Sequence, residues 1–82
     1  MLTAIMLLNT KKGMVSKVAR ELGEIDEVTE VYSVAGPYDL IAKIQVEEYE
    51  RFSEVIAGKL QNVEGIEKTQ TLMAFKTYKV GL

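Results

Sequence analysis

Six positions in this sequence carry recognition chemistry that packing does not require: the run Gly36-Pro37-Tyr38-Asp39, and Thr69 and Thr71 further along. Asp39 supplies a carboxylate, an acceptor for an ammonium or for N–H donors. Gly36 would let a ligand approach the backbone, and Tyr38 offers a flat wall with a hydroxyl tip. Thr69 and Thr71, two residues apart, would share one face of a strand and could donate hydroxyls. The same residues have a plainer account. Gly-Pro-Tyr-Asp is good turn chemistry, Asp39 could bond local backbone, and the threonines are ordinary strand residues. On residue types alone, the turn account suffices.

Other chemistry is poorly provided for. The chain has no His and no Cys, which removes disulfides, thiolate or imidazole metal sites and the commonest general base. Asp39, Tyr32, Tyr38 and Tyr78 are the acid–base groups that remain for an enzyme, and none has an identifiable partner. Glu47, Glu48 and Glu50 are explained by a helix start, Lys11 and Lys12 by a solvated loop, and the four methionines by core or interface filling. No cofactor is expected. A net charge of −2 leaves no basic footprint for direct nucleic-acid binding. No apolar run approaches the ~20 residues of a membrane span, so a cytoplasmic protein is expected.

The elements that must position the six residues follow from periodicity. Leu2 to Leu8 is almost continuously apolar on both faces and predicts a buried strand. Val15, Val18, Ala19, Leu22 and Ile25 predict an amphipathic helix, with Gly23 as its C-terminal cap. Val28 to Ala35 and Asp39 to Val46 predict two antiparallel strands hinged on the Gly36–Asp39 turn. Tyr49, Phe52, Ile56, Leu60 and Val63 predict a second helix over 47–63, in which Gly58 marks either close packing or a tolerated cost. Ile66 to Val80 predicts a last strand that ends early or bends, its tail from Lys76 to Leu82 folding over a neighbour.

This order, βαββαβ, with the weak echo of Leu22, Ile25, Val28 in Leu60, Val63, Ile66, predicts a single 82-residue domain of α+β class. Its architecture would be a ferredoxin-like sandwich: a four-stranded antiparallel sheet with two helices on one face. The other face is apolar too, and 48% of the residues are hydrophobic in a chain this short, so that face is expected to pack on a second copy.

The phrase VARELGEIDEVTEVYSVAG, the hinge GPYDL and the segment LQNVEGIEKTQTLMAFKTYK together resemble the effector-binding (RAM) domain of the Lrp/AsnC family, over nearly the whole chain. Gly36 and Asp39 match the family's Gly-x-x-Asp tip, and Gly65, Ile66, Thr69 and Thr71 match its Gly-Val-x-x-Thr-x-Thr strand start. The resemblance implies a dimer that assembles further, often into a ring of dimers, and binds a small effector, usually an amino acid, between dimers near the hinge. The effector-binding residues it points to are Gly36, Tyr38, Asp39, Thr69 and Thr71. Two departures stand out. Met1 runs straight into the first strand where family regulators carry a helix-turn-helix domain, so a stand-alone module is expected. Pro37 stands where the family often has a polar or acidic residue, which removes one side-chain contact and one backbone donor.

The expected function is therefore a non-enzymatic regulatory module. It would sense an amino acid and either self-assemble or co-assemble with full-length Lrp/AsnC regulators. A small dimeric α+β barrel enzyme of oxygenase or isomerase type, and a purely structural oligomer, are the alternatives.

Overall fold

A computed structural model describes residues 1–81; Leu82, the last residue of the expected tail, lies outside the described residues. The strands are β1 (Leu2–Thr10), β2 (Val28–Ser33), β3 (Leu40–Val46) and β4 (Ile66–Met73), and α1 spans Val15–Gly23. The second helix has three parts: an α-helical turn Glu50–Ser53, a π-helical stretch Glu54–Lys59 and a 3-10 turn Leu60–Asn62. The sheet order is β2-β3-β1-β4 with every neighbour antiparallel, so the fold is the ferredoxin-like α+β sandwich.

Strand alternation sorts the side chains. On β1, Ala4, Met6 and Leu8 are buried, and they oppose Ile44, Ala42 and Leu40 of β3, buried likewise. Val18 and Leu22 from α1, and Phe52, Val55 and Leu60 from the second helix, close that face. Residues opposite one another across a ladder share a face. Ile5, Leu7 and Ile41 therefore lie on the other side of the sheet, where Tyr32 (53% exposed) and Leu72 (48% exposed) accompany them.

Several boundaries differ from the periodicity. Gly23 is the last residue of α1 and not its cap; the chain leaves through Glu24, whose N–H reaches Glu21 O, while Ile25 N–H reaches Leu22 O. The second helix begins at Glu50, leaving Glu47 and Glu48 ahead of it, and Tyr49 is exposed with its ring edge-on to Phe52. Within the helix a Cβ on Gly58 would meet nothing within 4 Å among the described residues, so the glycine is tolerated and does not serve close packing. Asn62 Nδ2 donates to Gly58 O at 2.7 Å, closing the last turn.

Gly65 is a different case. Its φ of +107° lies where other residues are strained, and a Cβ there would stand 2.8 Å from Met14 Cε and 2.9 Å from Val18 Cγ2. Its carbonyl accepts Lys11 N–H at 2.7 Å, so this turn fastens the start of β4 to the end of β1. A second fastening is ionic. Glu27, in the turn before β2, accepts Lys59 Nζ at 2.8 Å and Arg51 Nη2 at 2.6 Å, which ties that turn to the second helix. The Lys59 hydrogen bond chiefly, with Arg51 beside it, holds the Glu27 carboxyl below its ordinary pKa.

Both fastenings can be tested by substitution. Urea unfolding should show Gly65→Ala destabilised by about 1–3 kcal/mol from strain and crowding, whereas Gly58→Ala should gain about 0.5–1 kcal/mol. The ionic fastening should respond to acid. A carboxylate with a depressed folded-state pKa adds stability that is fully present above its unfolded pKa of about 4.3 and is lost as pH falls through the folded value. Glu27→Gln should therefore be less stable than the parent at neutral pH, with the difference shrinking below about pH 4; parallel pH–stability curves for the two chains would disprove this.

Candidate functional site

The loop between β2 and β3 turns at Gly36, whose φ of +140° favours glycine and whose Cβ position is open to 4 Å among the described residues. The tip does not hang free, because the end of β1 holds it. Asp39 N–H donates to Leu8 O and Val34 N–H to Asp39 O, each at 3.0 Å. Thr10 N–H donates to Asp39 Oδ2 at 2.9 Å, and Asn9 Nδ2 donates to Pro37 O at 3.1 Å. The Pro37 ring removes a donor, yet its carbonyl is one of the anchors. Across the sheet, Tyr38 OH donates to Gln70 Oε1 at 2.6 Å.

The two halves of the sequence-derived site are placed apart. Gly36, Tyr38 and Asp39 sit together at the tip. Thr69 opposes Leu8 and Thr71 opposes Met6, so both threonines face the helices; Gln70, between them, opposes Leu7 and faces the uncovered side. β1 runs between the tip and β4. Within one protomer, then, Tyr38 meets Gln70 and not the threonines.

Thr69 has its own surroundings. It lines a cavity of about 230 Å³ between β4 and the second helix, with Met6, Ile56 and Leu60 as the apolar wall and Gln61 and Glu67 as polar groups. An apolar wall with a few polar groups suits a small amphipathic molecule. Glu67, Gln70, Asn9 and Thr10 were all missed by residue-type reasoning. Their sequence signal is weak, since each is an ordinary polar residue whose role depends on which strand lies opposite.

Asp39 thus has a structural role, because one carboxylate oxygen satisfies the half-buried Thr10 N–H. A carboxylate has about four acceptor sites, so capacity remains for a ligand. Asp39→Ala should lower stability by about 1–2 kcal/mol through the orphaned N–H, while Asp39→Asn, which keeps an acceptor oxygen, should recover most of it. Equal destabilisation by both would show that the hydrogen bond is not the cause. Chemical denaturation of the three chains decides it.

Comparison with known proteins agrees with this architecture. The family model of the Lrp/AsnC ligand binding domain matches residues 3–81. The HTH-type transcriptional regulator FL11 of Pyrococcus horikoshii is 35% identical over 76 residues, which cover 93% of this chain and 50% of FL11. The chain spans about half the length of that curated relative. Among solved structures, TTHA0845 from Thermus thermophilus superimposes with a TM-score of 0.90 at 36% identity, covering 98% of this chain and 100% of that one. A transcriptional regulator of Neisseria meningitidis, solved as a complex with L-Met, shares the fold at a TM-score of 0.85 and 18% identity, over 96% of this chain and 53% of that one. The curated relatives of this chain are transcription regulators and the family is not one of enzymes. The oxygenase or isomerase alternative is set aside on that ground. No helix among the described residues is long and apolar enough to cross a membrane. The chain belongs to the Lrp/AsnC family, whose ligand binding domain its residues 3–81 match.

Proposed function

We propose that this domain is a regulatory sensor of a small effector, an amino acid, and that the effector lies between dimers. One dimer would contribute the Gly36–Asp39 tip, and another the cavity that Thr69 borders, with Thr71 behind it. The observation that carries the reading is the separation just described. The tip is pinned by hydrogen bonds to β1 and β4, and Thr69 opens on the other face of the sheet, so the two halves meet only when a second copy supplies one of them. Asp39 would accept the ammonium, the open backbone at Gly36 would donate to the carboxylate, and Tyr38 would wall one side. The L-Met complex of the Neisseria regulator supports an amino acid as the ligand class.

Self-assembly completes the site in this reading. Two copies pair through the uncovered sheet face, and dimers join into a ring. The same surfaces would admit a full-length Lrp/AsnC regulator as a partner in the cytoplasm.

A thermal-shift screen of the twenty amino acids tests this. A ligand held at about 100 times its Kd adds about 2.7 kcal/mol to the folded state, a shift of several degrees for a domain of this size. One or a few amino acids should raise Tm, and Asp39→Ala should abolish the shift while the chain stays folded. A flat response to all twenty would favour the purely structural oligomer.

A further inference from the structure

Two consecutive residues of β4, Ile66 and Glu67, line the same cavity beside the second helix. Successive side chains of a regular strand point to opposite faces, so a shared lining requires a break in the ladder. The break lies in the register with β1. Asn9 pairs with Lys68 and Thr10 with Ile66, which leaves Glu67 as the extra residue of a bulge. Unbroken alternation from the Leu8–Thr69 pair would set Glu67 opposite Thr10; instead Ile66 takes that place and packs against the core, and Glu67 comes to the cavity with it.

Glu67 is the one charged side chain among the described residues that line this cavity. No salt bridge reaches it among the described residues. The cations of the second helix, Arg51 and Lys59, are engaged by Glu27, and Lys17 stands beside Glu21 and Glu64. Lys68 opposes Asn9 and so belongs to the uncovered side of the sheet. The protomer thus turns a carboxylate toward an apolar cavity and gives it no cation.

We infer that the effector is a dibasic amino acid: its aliphatic stem lies along Met6, Ile56 and Leu60, and its side-chain cation is received by Glu67. The inference rests on the proposed site between dimers and assigns the class of ligand that site takes.

Burial supplies the reason for a cation. Glu67 is exposed in one protomer, and a second dimer closing over the cavity would take its carboxylate out of water. A carboxylate so removed is costly unless a charge pairs with it. A neutral effector would leave it alone there, whereas a side-chain ammonium or guanidinium pairs with it through charge-assisted hydrogen bonds.

Length agrees with this. Glu67 lies two residues from Thr69, about 6–7 Å along the strand, and a lysine side chain spans roughly 6 Å from Cα to Nζ. Such a stem lies along apolar surface while its head keeps a polar partner. The charges balance as well, since a dibasic amino acid brings two cations and the site offers two carboxylates, Asp39 from one dimer and Glu67 from the other.

Isothermal titration calorimetry of the full chain with L-lysine, L-ornithine, L-arginine, L-methionine and L-norleucine tests this, norleucine being the lysine skeleton without its side-chain ammonium. The same titrations are run on Glu67→Gln and on Glu64→Gln, an acid in the preceding turn that does not line the cavity. The parent should bind at least one basic amino acid about 10- to 100-fold more tightly than norleucine, the range for a hydrogen bond to a charged group. In Glu67→Gln that preference should fall to near parity, with far-ultraviolet circular dichroism and unliganded Tm kept, and in Glu64→Gln it should persist. A parent that binds norleucine or methionine as tightly as the basic amino acids would overturn the inference and leave the amino-acid sensor standing. An undiminished preference in Glu67→Gln, or an equal loss in Glu64→Gln, would overturn it too. Sedimentation equilibrium without ligand covers the remaining route: weaker self-association of Glu67→Gln would assign this carboxylate to a subunit contact and overturn its role toward the effector. Absence of binding by all twenty amino acids would sink the proposed sensor itself, and this inference with it.

Discussion

The alternation of β1 is the constraint on which the rest of the structure hangs. This strand lies between β3 and β4, so both of its edges are hydrogen-bonded, and one of its faces lies beneath the helices. Its even-numbered side chains, Ala4, Met6 and Leu8, fill the space beneath the helices, and its odd-numbered ones, Ile5 and Leu7, form the centre of the opposite face. A slip of one residue would exchange the two sets and bring the polar Thr3 and Asn9 beneath the helices beside Ile5 and Leu7. The same strand's end, at Leu8 to Thr10, holds the hairpin tip through backbone and side-chain bonds, so the sheet register and the geometry of the tip are fixed together.

How much of this was legible beforehand depends on the range of the interaction. The strands, the first helix and the hairpin are local patterns, and they stand where periodicity places them to within a few residues. The second helix is less legible. Of the stripe drawn at α-helical spacing, Phe52 and Leu60 are buried and Ile56 and Val63 pack partly buried against the core, while Tyr49 is exposed and Val55, five residues before Leu60 across the π-helical stretch, is buried in addition. Nothing in the residue types of Glu54–Lys59 announces it.

The candidate site divides along the same line. Gly36-Pro37-Tyr38-Asp39 is readable as a turn with an acidic end, and the structure shows the turn. That Asp39 is engaged by Thr10 N–H and Tyr38 by Gln70 follows from pairings across 29 and 32 residues, which no local rule provides. The face on which Thr69 and Thr71 emerge depends on the β1–β4 register, which shifts between Asn9 and Thr10. A motif of the form Thr-x-Thr therefore specifies that two hydroxyls share a side, while the choice of side belongs to the sheet.

The strand order β2-β3-β1-β4 also bears on how the chain reaches this state. The β2–β3 hairpin closes over a handful of residues and can form early. By contrast β1, the earliest strand in the chain, pairs with residues 40–46 on one edge and with β4 on the other. Closing loops of that length is slow compared with a hairpin, and until they close, the strand remains with its backbone groups and apolar side chains unpaired. The strand that organises the finished domain is thus synthesised before either of its partners and is the last to have both edges satisfied, so the interval between its emergence and the arrival of β4 is when the chain is most exposed to pairing with the wrong neighbour.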